Sequence, residues 1–155
     1  MRYFLDTEYN GFGGELISIA LVPEHGDQEF YATLPLPEVI HPWVMRNVIP
    51  YLNAVGQAFA HHEMSRLDAG QELARYLAHD QEPVIVADWP DDIAFFCSLL
   101  TPGPGEIVDI GSLDFMLLRR PGSSVAANSK VPHNALHDAR ALRDTILEED
   151  SFSRG

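Results

Sequence analysis

The sequence predicts an α/β fold in which a five-stranded mixed sheet is flanked by helices. Three observations lead there. The N-terminal part holds three strand-like apolar runs joined by turns, the pattern of an antiparallel meander. From residue 66 onward, helical patterns alternate with two further short strand-like runs, as expected when strands are linked by helical crossovers. The last long pattern is an amphipathic helix with apolar residues at helical spacing.

The first run is Tyr3-Phe4-Leu5, aromatic and aliphatic residues that suit a strand buried on both faces. It leads into Asp6-Thr7-Glu8. Strand side chains alternate, so Asp6 and Glu8 share a face at the strand's exit. Like charges so close imply a divalent cation, a shared proton or a hydrated loop. Gly11, Gly13 and Gly14 mark the following turn, and residues 15–22 form an aliphatic strand stopped by Pro23. Residues 28–34 form the third strand, with Phe30 and Leu34 on one face. Pro35, Pro37, Pro42 and Pro50 then restrict the chain to short pieces, with a brief helix over 43–48.

His61-His62-Glu63 reads as a solvated approach to the next helix, since no further ligand has metal-site spacing. Ser65-Arg66-Leu67-Asp68 resembles a capping box and opens a helix over 66–79. Residues 83–87 are a β-branched strand, followed by Asp88, Asp91 and Asp92, more acid than a helix start requires. An apolar helix over 93–100 ends at Pro102-Gly103-Pro104-Gly105. Residues 106–110 are expected as the fifth strand and 113–118 as a helix beside it. Residues 119–132 form a polar, mobile loop with Arg119, Arg120 and Lys130, three of the ten basic residues. The last helix opens at His133 and runs to about Glu149, with Ala135, Ala139, Leu142 and Ile146 inward. Asp138 lies on that inward stripe and His137 on the solvent side.

At 155 residues the chain fits one domain, residues 1–149, with a frayed tail over 150–155. Apolar residues make up 46% of it, and no apolar run approaches the roughly 20 residues of a membrane span. The N-terminus enters a strand without a secretion-signal pattern, so the expected location is cytoplasmic. The single cysteine, Cys97, is expected in the core. A net charge of -13 argues against long-range attraction for nucleic acid, so such a substrate must be gripped locally.

Asp6 and Glu8 after the first strand, Asp92 after the fourth, and His133 with Asp138 late in the chain form an ordered constellation. It resembles the DEDD superfamily of 3′-5′ exonucleases, in the subclass with a catalytic histidine. Phe4-Leu5-Asp6-Thr7-Glu8 matches the first motif, and His133 through Ala139, with the histidine five before the aspartate, matches the third. The sister subclass has a tyrosine four before that aspartate, where this chain has Asn134. For the second motif, Asp92 is followed at three and four residues by Phe95 and Phe96; Asp91, the alternative, is followed by Ala94 and Phe95. Among relatives the chain is most similar to the small bacterial exoribonucleases typified by ribonuclease AS, through residues 16–19 and the Pro42-Trp43-Val44 segment.

The resemblance implies a ribonuclease H-like fold. It also implies hydrolysis of single-stranded RNA from its 3′ end, releasing nucleoside monophosphates. Asp6, Glu8, Asp92 and Asp138 would hold two divalent cations, Mg²⁺ or Mn²⁺, about 4 Å apart. His133 would be the general base, and Thr7, Tyr9 and Phe12 would contact substrate. A homodimer is implied as well. A DNA proofreading or repair exonuclease would use the same residues, and a non-catalytic metal or nucleotide-binding module is the other alternative. A zinc-peptidase reading of His133 and His137 fails, because the glutamate it needs after the first histidine is Asn134.

Overall fold

The computed structural model describes residues 1–120, 124–153 and 155. Its strands are β1 (Arg2–Tyr9), β2 (Leu16–Pro23), β3 (Phe30–Thr33), β4 (Val84–Ala87) and β5 (Asp114–Leu117). Its helices are α1 (Pro42–Asn47), α2 (Arg66–Leu77), α3 (Pro90–Ser98) and α4 (Ala135–Ser153), with short 3-10 turns at Ile49–Tyr51, Gln57–Phe59 and Val125–Asn128. The sheet order is β3-β2-β1-β4-β5. β1, β2 and β3 form the antiparallel meander, while β4 and β5 join parallel to β1 in turn. This is the ribonuclease H-like, five-stranded mixed sheet flanked by helices. Among the described residues no helix is long and apolar enough to cross a membrane.

The central strand decides what each side of the molecule receives. Tyr3 and Leu5 pack with Ala69, Leu73 and Leu77 of α2 and with Phe96 of α3. Phe4, one residue out of phase, packs with Leu142 and Ile146 of α4. By the same alternation Asp6 and Glu8 belong to the α4 side and Thr7 to the α3 side. α4 crosses β2 as well, setting Ala135, Leu136 and Ala139 against Ala20, Val22 and Tyr31. Both faces of β1 and β2 are covered, which explains why they read as continuous apolar runs.

The fifth strand is Asp114–Leu117; residues 106–110 are not a strand, and residues 113–118 are not a helix. Val108 is needed elsewhere. It is 6% exposed, donates its N–H to the Leu100 carbonyl, and lies against α2 at Gly70. A Cβ on Gly70 would sit 2.2 Å from the Leu99 carbonyl oxygen, so only glycine lets these segments approach so closely. After that crossing, Asp114 to Leu117 pair in register with Val84 to Ala87, and Phe115 meets Phe96 edge-on at 5.4 Å. A six-residue segment gains little as an isolated helix, and the ladder offered by β4 outweighs the helical propensity of its leucines and methionine.

Other boundaries differ for local reasons. α2 ends at Leu77, two residues before the expected His79. Ser65 does cap it, accepting from the Asp68 N–H at 3.1 Å. α3 starts at Pro90, earlier than expected, because proline at the first helical position needs no partner for a missing N–H. α4 begins at Ala135 rather than His133, and it runs to Ser153, beyond Glu149. Asp150, expected in a tail, is inside that helix and pairs with Arg2 at 2.8 Å. Cys97 is exposed on α3, not in the core. His62 is not solvated: it is 8% exposed, its Nδ1 lies 2.8 Å from Thr33 Oγ1, and its carbonyl accepts the Thr33 N–H at the edge of β3. Of the loop expected over 119–132, residues 121–123 lie outside the described residues, as does Arg154 of the tail.

Candidate active site

Three elements converge where β1 leaves the sheet. β1 brings Asp6 and Glu8, α3 brings Asp92 on its first turn, and α4 brings Asp138 on its first turn. Asp92 is 2%, Asp138 5% and Glu8 9% exposed. Ligand atoms of Glu8, His133 and Asp138 all lie within 4.8 Å of one another. Thr7 is buried on the other face of β1, where its hydroxyl donates to Asp92 Oδ1 at 2.6 Å and ties α3 to the strand. Expected as a substrate contact, Thr7 spends its hydroxyl on orienting a carboxylate.

Burial and mutual repulsion set the electrostatics. Burial, followed by the charges of Asp92, Glu8, Asp138 and Asp88, holds the Asp6 carboxyl well above the usual carboxylate range. Burial, with Asp138 and Asp92 next, does the same to Glu8. Asp92 is pushed up to about 7, chiefly by burial and in spite of the Thr7 hydrogen bond. Burial raises Asp138 too, opposed in part by the N–H of His133, which donates to its Oδ2 at 3.1 Å. Two carboxylate oxygens, Asp6 Oδ2 and Asp138 Oδ1, are enclosed without a hydrogen-bond partner among the described residues. Native interiors seldom leave such acceptors bare. A cluster of buried acids with unmet lone pairs fits hard divalent cations with oxygen ligands, Mg²⁺ or Mn²⁺, which would supply the missing positive charge.

His133 precedes α4 and does not begin it. Its φ of 64° is left-handed, a conformation more open to histidine and asparagine than to most residues. Its ring meets the Trp43 ring edge-on at 4.9 Å, so α1 braces the imidazole from the other side. The turn depends on Asn134. This fully buried side chain accepts the N–H groups of Leu136 and His137 at 3.1 and 3.2 Å, capping α4, and donates to the Tyr51 carbonyl at 2.8 Å. In the sequence Asn134 excluded a tyrosine and a zinc-peptidase glutamate and was not read as a cap. The signal was an asparagine directly before the apolar stripe at Ala135, the preferred capping residue. His137 is not free in solvent either, since its Nε2 lies 2.7 Å from the Ala54 carbonyl oxygen.

The second-motif aspartates separate clearly. The residue capping α3 is Trp89, not Asp91, and no side chain makes a capping bond there. Asp91 Oδ2 accepts the Trp89 indole N–H at 3.1 Å, on the side facing Tyr9. Asp92 turns inward to Thr7 and Asp6. Asp92→Asn is therefore expected to remove most metal-dependent activity. Asp91→Asn keeps an acceptor for the indole and should retain at least about half the rate, since exposed polar changes cost little. Steady-state rates of the two variants check this, and a reversed order would make Asp91 the ligand. Asp88 was not expected to take part, yet it adds a fifth negative charge near Asp6 and Asp92.

Tyr9 and Phe12 sit at the rim. Tyr9 stacks on Phe95 at 4.8 Å, and Phe12, 85% exposed, lies 6.4 Å from Tyr9. The chain matches no protein-family model, and no curated protein matches it significantly.

Proposed function

We propose that the protein is a metal-dependent 3′-5′ exonuclease that hydrolyses single-stranded RNA in the cytoplasm, as the DEDD-type enzymes its motifs resemble do. The observation that carries this is the set of half-buried Asp6 and buried Glu8, Asp92 and Asp138, in which Asp6 and Asp138 each have an enclosed carboxylate oxygen without a partner among the described residues, next to His133 held by Asp138 and Trp43. These four carboxylates would hold two divalent cations, whose chemistry is to polarise the scissile phosphate and offset the charge that develops on it. The chain's own groups supply the rest. His133 takes a proton from the attacking water at a ring nitrogen, acting as general base. The water oxygen bonds to phosphorus, the P–O3′ bond breaks with its electron pair on O3′, which takes up a proton from solvent, and a nucleoside monophosphate leaves a strand shortened by one nucleotide. Thr7 keeps Asp92 aimed inward during this, and Tyr9 and Phe12 offer ring faces to the terminal bases.

The test is incubation with single-stranded RNA and DNA of matched sequence in Mn²⁺, Mg²⁺ or EDTA. Stepwise shortening of RNA from the 3′ end with either cation, and none in EDTA, is expected. Activity in EDTA overturns the metal reading, and equal rates on DNA overturn the ribonuclease reading. His133→Ala should slow hydrolysis roughly 10²-fold or more, with cation affinity by calorimetry little changed. The closeness of His133 to Glu8 and Asp138 favours one second reading, in which the imidazole is itself a ligand. Cation binding lost together with activity in His133→Ala would establish that reading.

A further inference from the structure

The aromatic rim extends beyond Tyr9 and Phe12. Phe95, Tyr9, Phe12 and Trp89 follow one another with centroids 4.8, 6.4 and 6.3 Å apart, each step within the range of favourable ring contacts. The inner end is packed into the protein and the outer end is open: Phe12 is 85% and Trp89 37% exposed. Trp89 donates to Asp91 at 3.1 Å and Tyr9 feels the charges of Asp91 and Asp92, so the rim adjoins the acids at the start of α3. Over the Trp89 ring, 4.3 Å from its centroid, stands the Arg119 guanidinium. Its Nη1 is 3.5 Å from the Asp88 carbonyl oxygen.

Arg2, Arg75, Arg120, Arg140 and Arg143 are each paired with a carboxylate. Arg119, like Arg46 and Arg66, makes no ion pair among the described residues; its charge acts on the Asp88 carboxyl from beside the indole it covers. A guanidinium stacked on an indole keeps its charge and its planar fork of donors directed outward, suited to a phosphate. A molecule of net charge -13 that holds a guanidinium against exposed aromatic rings, without tying it into an ion pair, presents the two features of a single-stranded nucleotide site. An anionic membrane fits poorly, because the surrounding carboxylates would repel it.

We propose that Phe12, Trp89 and Arg119 form a nucleotide subsite beside the carboxylates: the rings take one unpaired nucleobase, and the guanidinium takes a phosphate of the same strand. The choice of nucleotide as occupant rests on the exonuclease reading above. Arg119 thereby supplies locally the attraction that the overall charge denies to a polyanion, and Trp89 sets both the height and the orientation of that cation.

The test is a binding cycle by fluorescence anisotropy in Ca²⁺, with a 5′-labelled short oligoadenylate and the same strand carrying a 3′-terminal abasic nucleotide. Trp89→Ala and Phe12→Ala should each weaken binding of the full strand roughly 5- to 150-fold, the range for loss of a stacked base. Neither should weaken the abasic strand further. Trp89→Phe should restore most of the affinity, and Arg119→Gln should reduce the salt slope of log K by about 0.7, one phosphate contact on a single strand. Equal losses on both strands, or unchanged binding in all variants, overturn the subsite. Phe12 is so exposed that its truncation leaves the fold intact, so the cycle stands even if Trp89→Ala misfolds. Cleavage by the wild-type protein in Mn²⁺ is read separately. Cleavage without ring-dependent binding removes the subsite and leaves the exonuclease reading; ring-dependent binding without cleavage does the reverse.

Discussion

Asp6→Asn is expected to lower metal-dependent hydrolysis by about 10³-fold or more and, at the same time, to make the metal-free protein more stable at pH 8. The first effect follows from the position of Asp6 on the central strand, with the charges of Asp92, Glu8, Asp138 and Asp88 all acting on it. A carboxylate shared at that centre contributes to holding cations that stabilise the transition state by several kcal/mol, and each 1.4 kcal/mol is tenfold in rate. The second effect has the opposite sign because the same charges are unfavourable when nothing positive lies among them. Asparagine keeps the shape and removes the charge. A rate assay with Mn²⁺ and a thermal melt in EDTA read the two effects independently. Full activity would show that Asp6 holds no cation, and a lower melting temperature in EDTA would show that its charge is satisfied within the protein.

Without divalent cations, stability should fall as pH rises from 5 to 8. Asp92 has its folded-state pKa raised from 3.8 to about 7, so between those values the folded form holds a proton that the unfolded form has lost. Stability then decreases with pH, by on the order of 4 kcal/mol from this group alone once pH exceeds 7. Asp6, Glu8 and Asp138 are shifted in the same direction. Glu24 and Asp80, lowered by the hydrogen bonds of Arg2 and of the N-terminal amine, act with the opposite sign, but only as pH falls toward the ordinary carboxylate range. Mg²⁺ or Mn²⁺ should reverse the trend, because cations and protons compete for the same oxygens. At pH 8 a saturating cation, about 100 times its Kd, should add roughly 2.7 kcal/mol, and at pH 5 much less. Denaturant titrations at the two pH values, with and without cation, measure all four quantities. A metal-free protein more stable at pH 8 than at pH 5 would contradict the electrostatic account of the cluster.

The parts of the site carried by strong periodicity were legible in the sequence. Asp6 and Glu8 could be assigned to one face because a strand has period two. Asp138 could be assigned inward because it falls on the stripe of Ala135, Leu142 and Ile146, all of which are buried. The antiparallel meander followed from three apolar runs and their turns. What could not be read depended on contacts between segments far apart in sequence. Residues 106–110 have the composition of a strand, but Val108 is drawn to the gap left by Gly70 on another helix, and the ladder passes to Asp114. The choice of Asp92 over Asp91 gains its support only in the fold, where Trp89 takes the cap position of α3 and engages the Asp91 carboxylate. Cys97 follows an apolar pattern yet faces outward, because α3 commits Asp92 and Phe96 to the interior and so turns the next residue to solvent. The imidazole of His62 and the amide of Asn134 are buried because each meets distant backbone or hydroxyl groups, which no local pattern announces.

The covering of β1 and of the first turn of α4 has a consequence for amide hydrogen exchange. Asp6 lies on a strand paired on both sides, and the Asp138 N–H bonds to the Asn134 carbonyl beneath a helix whose apolar stripe rests on β1 and β2. Protons in such places exchange only when the whole domain opens. His133 stands one residue ahead of that protected block, held by its N–H to Asp138 and by the edge of Trp43. Asp6 and Asp138 thus belong to the last part of the molecule to come apart, while His133 belongs to a turn that can open alone. A mild destabilisation would displace His133, the proposed base, long before it disturbed the Asp6 and Asp138 carboxylates.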